Sequence, residues 1–134
     1  AAETGHLVLS TLHTSSAVKT IDRIIDVFPA GQKDQIRSML SESLEAVIAQ
    51  KLLITKDGKG RVPACEILVA NSAVKNLIRE DKIYQIPSLV QQSSHEGMQT
   101  LDQDLQRLVG QGKVLRETAL EIADDPEKFE KGIY

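Results

Sequence analysis

The segment that most constrains the fold is Gly5-His6-Leu7-Val8-Leu9-Ser10-Thr11-Leu12-His13-Thr14. Leu7 to Leu12 is apolar, with a turn residue before it and polar residues after it, which is the pattern of a buried strand. Thr14-Ser15-Ser16 then supplies the side-chain oxygens of a helix N-cap. Ile21, Ile24, Ile25 and Phe28 follow at helical spacing. A strand running straight into a helix is the opening of an α/β unit. At about 3.3 Å per strand residue, His6 and His13 sit roughly 20 Å apart, too far to share a metal ion. In open α/β sheets, ligands collect beyond the carboxyl ends of the strands. His13, with Thr11 and Thr14, is placed where such a ligand would lie. An imidazole there can donate to a phosphate oxygen or orient an attacking water.

Ala1-Ala2-Glu3-Thr4-Gly5 reads as a helix end with Gly5 as its stop, so the chain is expected to start within a fold. Downstream, Ile36, Met39, Leu40, Leu44, Val47 and Ile48 form one stripe, predicting a helix from Gln32 to Gln50. Leu52-Leu53-Ile54 and Val62 to Val69 are strand candidates around a Lys56-Asp57-Gly58-Lys59-Gly60 turn, a β-hairpin with Pro63 at an edge. From Asn71 onward the pattern is wholly helical. Asn71-Ser72 caps a short helix with Val74, Leu77 and Ile78 inward, and a second short helix runs from about Tyr84 to Gln92. Thr100 and Gln103 have capping-box spacing ahead of Leu101, Leu105, Leu108 and Val109, and that helix stops at Gly110 or Gly112. Arg116 to Ala123 is helical, and Asp125-Pro126 starts a last short helix through Phe129. The shift near Asn71 divides the chain into residues 1–70 and 71–134.

With aromatics at 3% and no Trp, the core must be built from aliphatic residues. A formal net charge of −3 gives no global basic field for nucleic acid. One cysteine, Cys65, allows neither an internal disulfide nor a cysteine-based zinc cluster. No apolar run approaches the ~20 residues that span a bilayer. The sequence contains no Gly-x-x-x-x-Gly-Lys-Ser/Thr phosphate loop, and no carboxylate cluster or His-Cys set reads as a complete catalytic site. This stretch alone is not expected to hydrolyse anything. His95 reads as a solvated loop residue and Cys65 as a small core residue.

Ala73-Val74-Lys75-Asn76-Leu77-Ile78-Arg79-Glu80 is the second notable segment, with Lys75, Asn76, Arg79 and Glu80 on a compact polar face. Thr4 to Thr14 resembles the "His box" of the secretion-superfamily hexameric ATPases. Ala73 to Glu80 resembles a signature of the branch that retracts type IV pili, with Val74 for an isoleucine and Lys75 for an arginine. Lys75 keeps the charge but not the planar guanidinium fork. Thr20 to Pro29, Arg37 to Ser41 and Gly97 to Asp102 extend the likeness.

The resemblance implies the carboxy-terminal part of a RecA-like P-loop ATPase domain (1–70), followed by a small all-helical region (71–134). It implies ATP and Mg²⁺, held mainly by residues upstream of this stretch. His13 and His6 are the implied catalytic residues, and Thr4, Thr11 and Thr14 the implied nucleotide or subunit-interface residues. The implied assembly is a homohexamer working on an inner-membrane pilus platform protein, at the cytoplasmic face of the inner membrane, without inserting into it. The helix from Ala73 to Glu80 is implied to couple ring motion to retraction. Related assembly or type II secretion ATPases, the accessory retraction ATPase and a non-catalytic helical module are the alternatives.

Overall fold

The computed structural model describes residues 1–132. A 3₁₀ turn, Ala2–Thr4, ends at Gly5 in the left-handed region (φ 88°), as the sequence predicts. Helices α1 (Ala17–Asp26) and α2 (Lys33–Ser43) precede a hairpin of β1 (Ala46–Ile54) and β2 (Arg61–Val69). Five short helices follow: α3 (Ser72–Arg79), α4 (Ile86–Gln92), α5 (Leu101–Gly110), α6 (Arg116–Ile122) and α7 (Pro126–Lys131).

Local chemistry sets most of these boundaries. Ser16 caps α1 by accepting from the Lys19 N–H (3.1 Å), Asn71 caps α3 at Val74 (2.9 Å), and Asp125 caps α7 at Lys128 (3.2 Å). Thr100 and Gln103 form both halves of the capping box of α5. Each cap satisfies an N–H that the first helical turn leaves without a partner.

Two expectations are corrected. Residues 7–12 form no strand, and Leu7 and Leu9 are more than four-fifths exposed. A strand is completed by lateral hydrogen bonds from a neighbour. Among the described residues the one sheet is the antiparallel β1–β2 pair, and nothing in it pairs with this segment. The helix expected over Gln32 to Gln50 ends at Ser43, where Leu44 turns extended (ψ 128°). Val47 and Ile48 belong instead to β1, which pairs with β2 from Ala46↔Val69 to Ile54↔Arg61. Nine paired residues outweigh a helical stripe whose last two members fit either period. Phe28 likewise lies just beyond α1.

The hairpin is the beam on which the rest is hung. Val47, Ala49, Lys51 and Leu53 of β1 share one face with Val62, Ala64, Glu66 and Leu68 of β2. Two separate apolar clusters grip the two ends of that face. Val47 and Leu68 pack with Ala17, Ile21 and Ile25 of α1, Val74 and Ile78 of α3, and Ile86 and Val90 of α4. Leu53 and Ala64 pack with Leu101, Leu105 and Leu108 of α5, Ala119 of α6 and Phe129 of α7. Between the clusters, Glu66 and Lys51 project from the middle of the same face. Gln99 extends the edge of β2, exchanging backbone hydrogen bonds with Ile67 (2.9 and 3.1 Å).

Candidate functional site

The His-box residues lie along an open hollow of about 840 Å³. Val8, Thr11, Leu12, His13 and Thr14 form one wall, and Val47, Ile48 and Ala49 of β1 form the other. His13 and Thr11 are exposed and Thr14 is half-buried. The backbone that carries His13 is tied to α1. Arg23 Nη1 donates to the His13 carbonyl (3.0 Å), and the Thr14 hydroxyl bonds the Thr20 hydroxyl. Thr20 in turn donates to the Ser16 carbonyl (2.8 Å), so the Thr14 hydroxyl is the donor of the pair.

His6 and Thr4 lie together at the other end of the segment and do not line the hollow. Thr4 Oγ1 donates to the Ala1 carbonyl (2.9 Å) and meets His6 Nδ1 at 3.1 Å. With the only Thr4 hydroxyl proton committed to Ala1, Nδ1–H of His6 is the donor of this pair. The structure therefore groups Thr11, His13 and Thr14, and separately pairs Thr4 with His6.

The Ala73–Glu80 signature occupies α3 and its cap. Val74 and Ile78 are buried, Leu77 is half-buried, and Ala73, Asn76, Arg79 and Glu80 are exposed; Lys75 is half-buried. The polar face is largely self-satisfied. Arg79 Nη1 donates to Asn76 Oδ1 (2.8 Å), and Glu80 pairs with Lys82 (3.3 Å). Asp81 stops the helix in the left-handed region (φ 58°), a conformation Asp tolerates better than most side chains. Arg37 of α2 faces its carboxylate at 3.4 Å.

The sequence reading missed a second constellation. Residues from distant parts of the chain gather in a cleft of about 460 Å³: Ser15 and Lys19 near the start of α1, Lys51 and Glu66 of the hairpin, and Asp102 and Asp124. Glu66 accepts from the Ala17 N–H at 2.6 Å. Asp102, almost fully buried, accepts from the Asp124 and Asp125 N–H groups at 2.7 and 2.9 Å. Lys51 Nζ lies 3.7 Å from Asp124. Burial pushes the Glu66 carboxyl above its ordinary range, against the pull of the Ala17 N–H; burial also raises Asp124, against the pull of Lys51. No local motif announces this set, because its members are far apart in sequence. Among the described residues, no group of three or more His, Cys, Asp or Glu side chains is arranged to hold a metal ion.

Comparison with known proteins gives the fold and the site their context. Residues 1–57 match the family described as Type II/IV secretion system protein. The chain is 62% identical over 129 residues to a twitching motility protein of Neisseria gonorrhoeae, covering 96% of this chain and 34% of that protein. It is 58% identical, again over 129 residues, to the type IV pilus retraction ATPase PilT of Pseudomonas aeruginosa, with 96% and 37% covered. A crystal structure of the pilus retraction motor PilT with bound ADP superposes with a TM-score of 0.84 at 46% identity, over 96% of this chain and 36% of that one. The chain thus spans about a third of the length of the curated relatives it matches. Its fold is that of a segment of a secretion-type P-loop ATPase. Along nearly the whole chain, its identity to a twitching motility protein and to the retraction ATPase PilT is high.

Proposed function

We propose that this chain is part of a hexameric, ATP-driven motor that retracts type IV pili and so drives twitching motility. The observation that carries the reading is the 62% identity, over 96% of the chain, to a protein named for twitching motility. The type IV pilus ATPase PilU of Pseudomonas aeruginosa is less similar, at 43%. On this reading, residues 1–70 complete the ATPase domain and residues 71–134 form the helical region. The motor works at the cytoplasmic face of the inner membrane against the pilus platform protein. No helix among the described residues is long and apolar enough to cross a membrane.

ATP is the substrate, and its hydrolysis supplies the free energy of motion. The exposed His13 and Thr11 fit one wall of a nucleotide site. Mg²⁺ and most of the phosphate contacts fall to residues outside this stretch. His13 meets the γ-phosphate, where a donor placed on developing charge is worth most. Thr11 and Thr14 line its surroundings; His6, held by Thr4, supports the site from the other end. Loss of the γ-phosphate is felt by the His13 backbone, and through Arg23 and Thr20 by α1. The α3 polar face, Lys75, Asn76, Arg79 and Glu80, meets the partner that converts ring motion into retraction.

The test uses the full-length protein. His13→Ala should lower ATP turnover about 100-fold, the usual scale for removing one placed donor or proton-transfer group. Asn76→Ala and Arg79→Ala should leave turnover near wild type while abolishing twitching. If the α3 changes abolished hydrolysis as fully as His13→Ala, the coupling role would be wrong. Unchanged turnover in His13→Ala would remove the phosphate role.

A further inference from the structure

Glu66 sits where two sets of contacts meet. On one side, its carboxylate accepts from the Ala17 N–H, the first residue of α1, at 2.6 Å. Ser16 caps that helix, Thr20 donates to the Ser16 carbonyl, and Thr14 bonds Thr20. Arg23 of the same helix holds the His13 carbonyl. The loop bearing His13 is therefore fixed to α1, and the start of α1 is fixed to Glu66.

On the other side, the strand around Glu66 is clamped to the helices that follow it. The Cys65 N–H donates to the buried Asp104 of α5 (2.8 Å), and Gln99 Nε2 donates to the Cys65 carbonyl (2.8 Å). Ile67 exchanges backbone hydrogen bonds with Gln99. Glu66 itself occupies the polar middle of the hairpin's buried face, between the two apolar clusters. Lys19, Lys51, Asp102, Asp124, Asp125 and Lys128 share its cleft. An apolar residue would fill this position more cheaply, since a half-buried carboxylate costs desolvation. What an apolar residue cannot do is accept the Ala17 N–H.

We infer that Glu66 is a positioning residue: its carboxylate is a strut that fixes the start of α1, and with it the His13 loop, to the strand that the helical region grips. The inference rests on the proposed phosphate role of His13 for its catalytic consequence, but not for its structural one. Acceptance of the Ala17 N–H is the working property, so an amide oxygen should serve. A methyl group should not.

The experiment compares Glu66→Gln, Glu66→Ala and Glu66→Asp in the full-length protein, with circular dichroism to confirm folding. Glu66→Gln should keep kcat for ATP hydrolysis within about twofold. Glu66→Ala should lower kcat about tenfold with KM for ATP little changed, because a misplaced group near the reacting atoms costs rate rather than binding. Glu66→Asp, one methylene short, should fall between, and it serves if the alanine variant does not fold. The double variant Glu66→Ala with His13→Ala should be no slower than His13→Ala alone, the signature of two residues acting through one path. Amide hydrogen exchange over residues 13–17 should quicken in Glu66→Ala and Glu66→Asp but not in Glu66→Gln.

Equal losses in Glu66→Gln and Glu66→Ala would overturn the strut, since charge rather than acceptance would then matter. Multiplying effects with His13→Ala would overturn it too. Should His13→Ala leave turnover untouched, the phosphate role falls by itself and exchange decides for Glu66. Quickened exchange upholds the strut, and unchanged exchange ends it.

Discussion

Replacing Asp104 by Asn should cost far more than a change of one heavy atom suggests. Asp104 is 2% exposed, and both of its oxygens are committed. Oδ2 accepts from the Cys65 N–H (2.8 Å), while Oδ1 accepts from Arg107 Nε (2.7 Å) and lies 2.6 Å from Nη2. Every partner is a donor. An Asn offers one acceptor and one NH₂, so whichever way it turns, the NH₂ confronts a donor. The charge-assisted bond to a buried strand N–H is worth about 1.5–3 kcal/mol. The ion pair adds little, on the order of 0–1 kcal/mol, because the Arg107 side chain is about half exposed and can be rehydrated. Asp104→Asn should therefore destabilise the chain by about 2–4 kcal/mol, and Arg107→Ala by about 1 kcal/mol or less. Urea unfolding followed by circular dichroism measures both, and the Asn variant should melt about 8–16 °C lower. Equal losses in the two variants would refute the reasoning, because the energy would then lie in the ion pair rather than in the strand bond. So would an Asn variant within about 0.5 kcal/mol of wild type, a shift typical of a featureless surface position.

Thr100→Ala removes the side-chain half of the α5 capping box and should cost about 1 kcal/mol in the same unfolding assay. Stability should also carry a pH signature from Glu66. Its carboxyl is raised above the ordinary 4.5 in the fold, so the folded state holds the proton longer than the unfolded one. Stability contributed by the protonated form is full below the unfolded value and is lost as pH rises through the folded one. Glu66→Gln should thus gain on wild type as pH climbs from about 4 to 7, read as the difference of their urea unfolding free energies. A difference constant over that range would contradict the buried-carboxylate account.

What the sequence shows well is chemistry that acts within a few residues. The Gly5 stop, the Asn71, Thr100 and Asp125 caps, the hairpin turn and the inward residues of α3 all depend on near neighbours, and all are where the pattern puts them. The errors lie where distant partners decide. Residues 46–50 satisfy a helical stripe, yet pairing with β2 draws them into a strand. Leu7 to Leu12 has a strand's composition, but composition supplies no neighbour to bond it. Glu66, Asp102 and Asp124 belong to no local motif, and only the fold brings them to one cleft. The His box and the α3 signature are legible because contiguous residues carry them.

The two apolar clusters at the ends of the hairpin face have a consequence for the register of the ribbon itself. A slip by a single residue would turn every side chain of the moving strand over. Leu68 would leave one cluster in the same step that Ala64 left the other, and Glu66 would be carried away from the Ala17 N–H. No half-slipped arrangement keeps either end content, so misalignment is penalised twice over and the ladder has a single workable alignment.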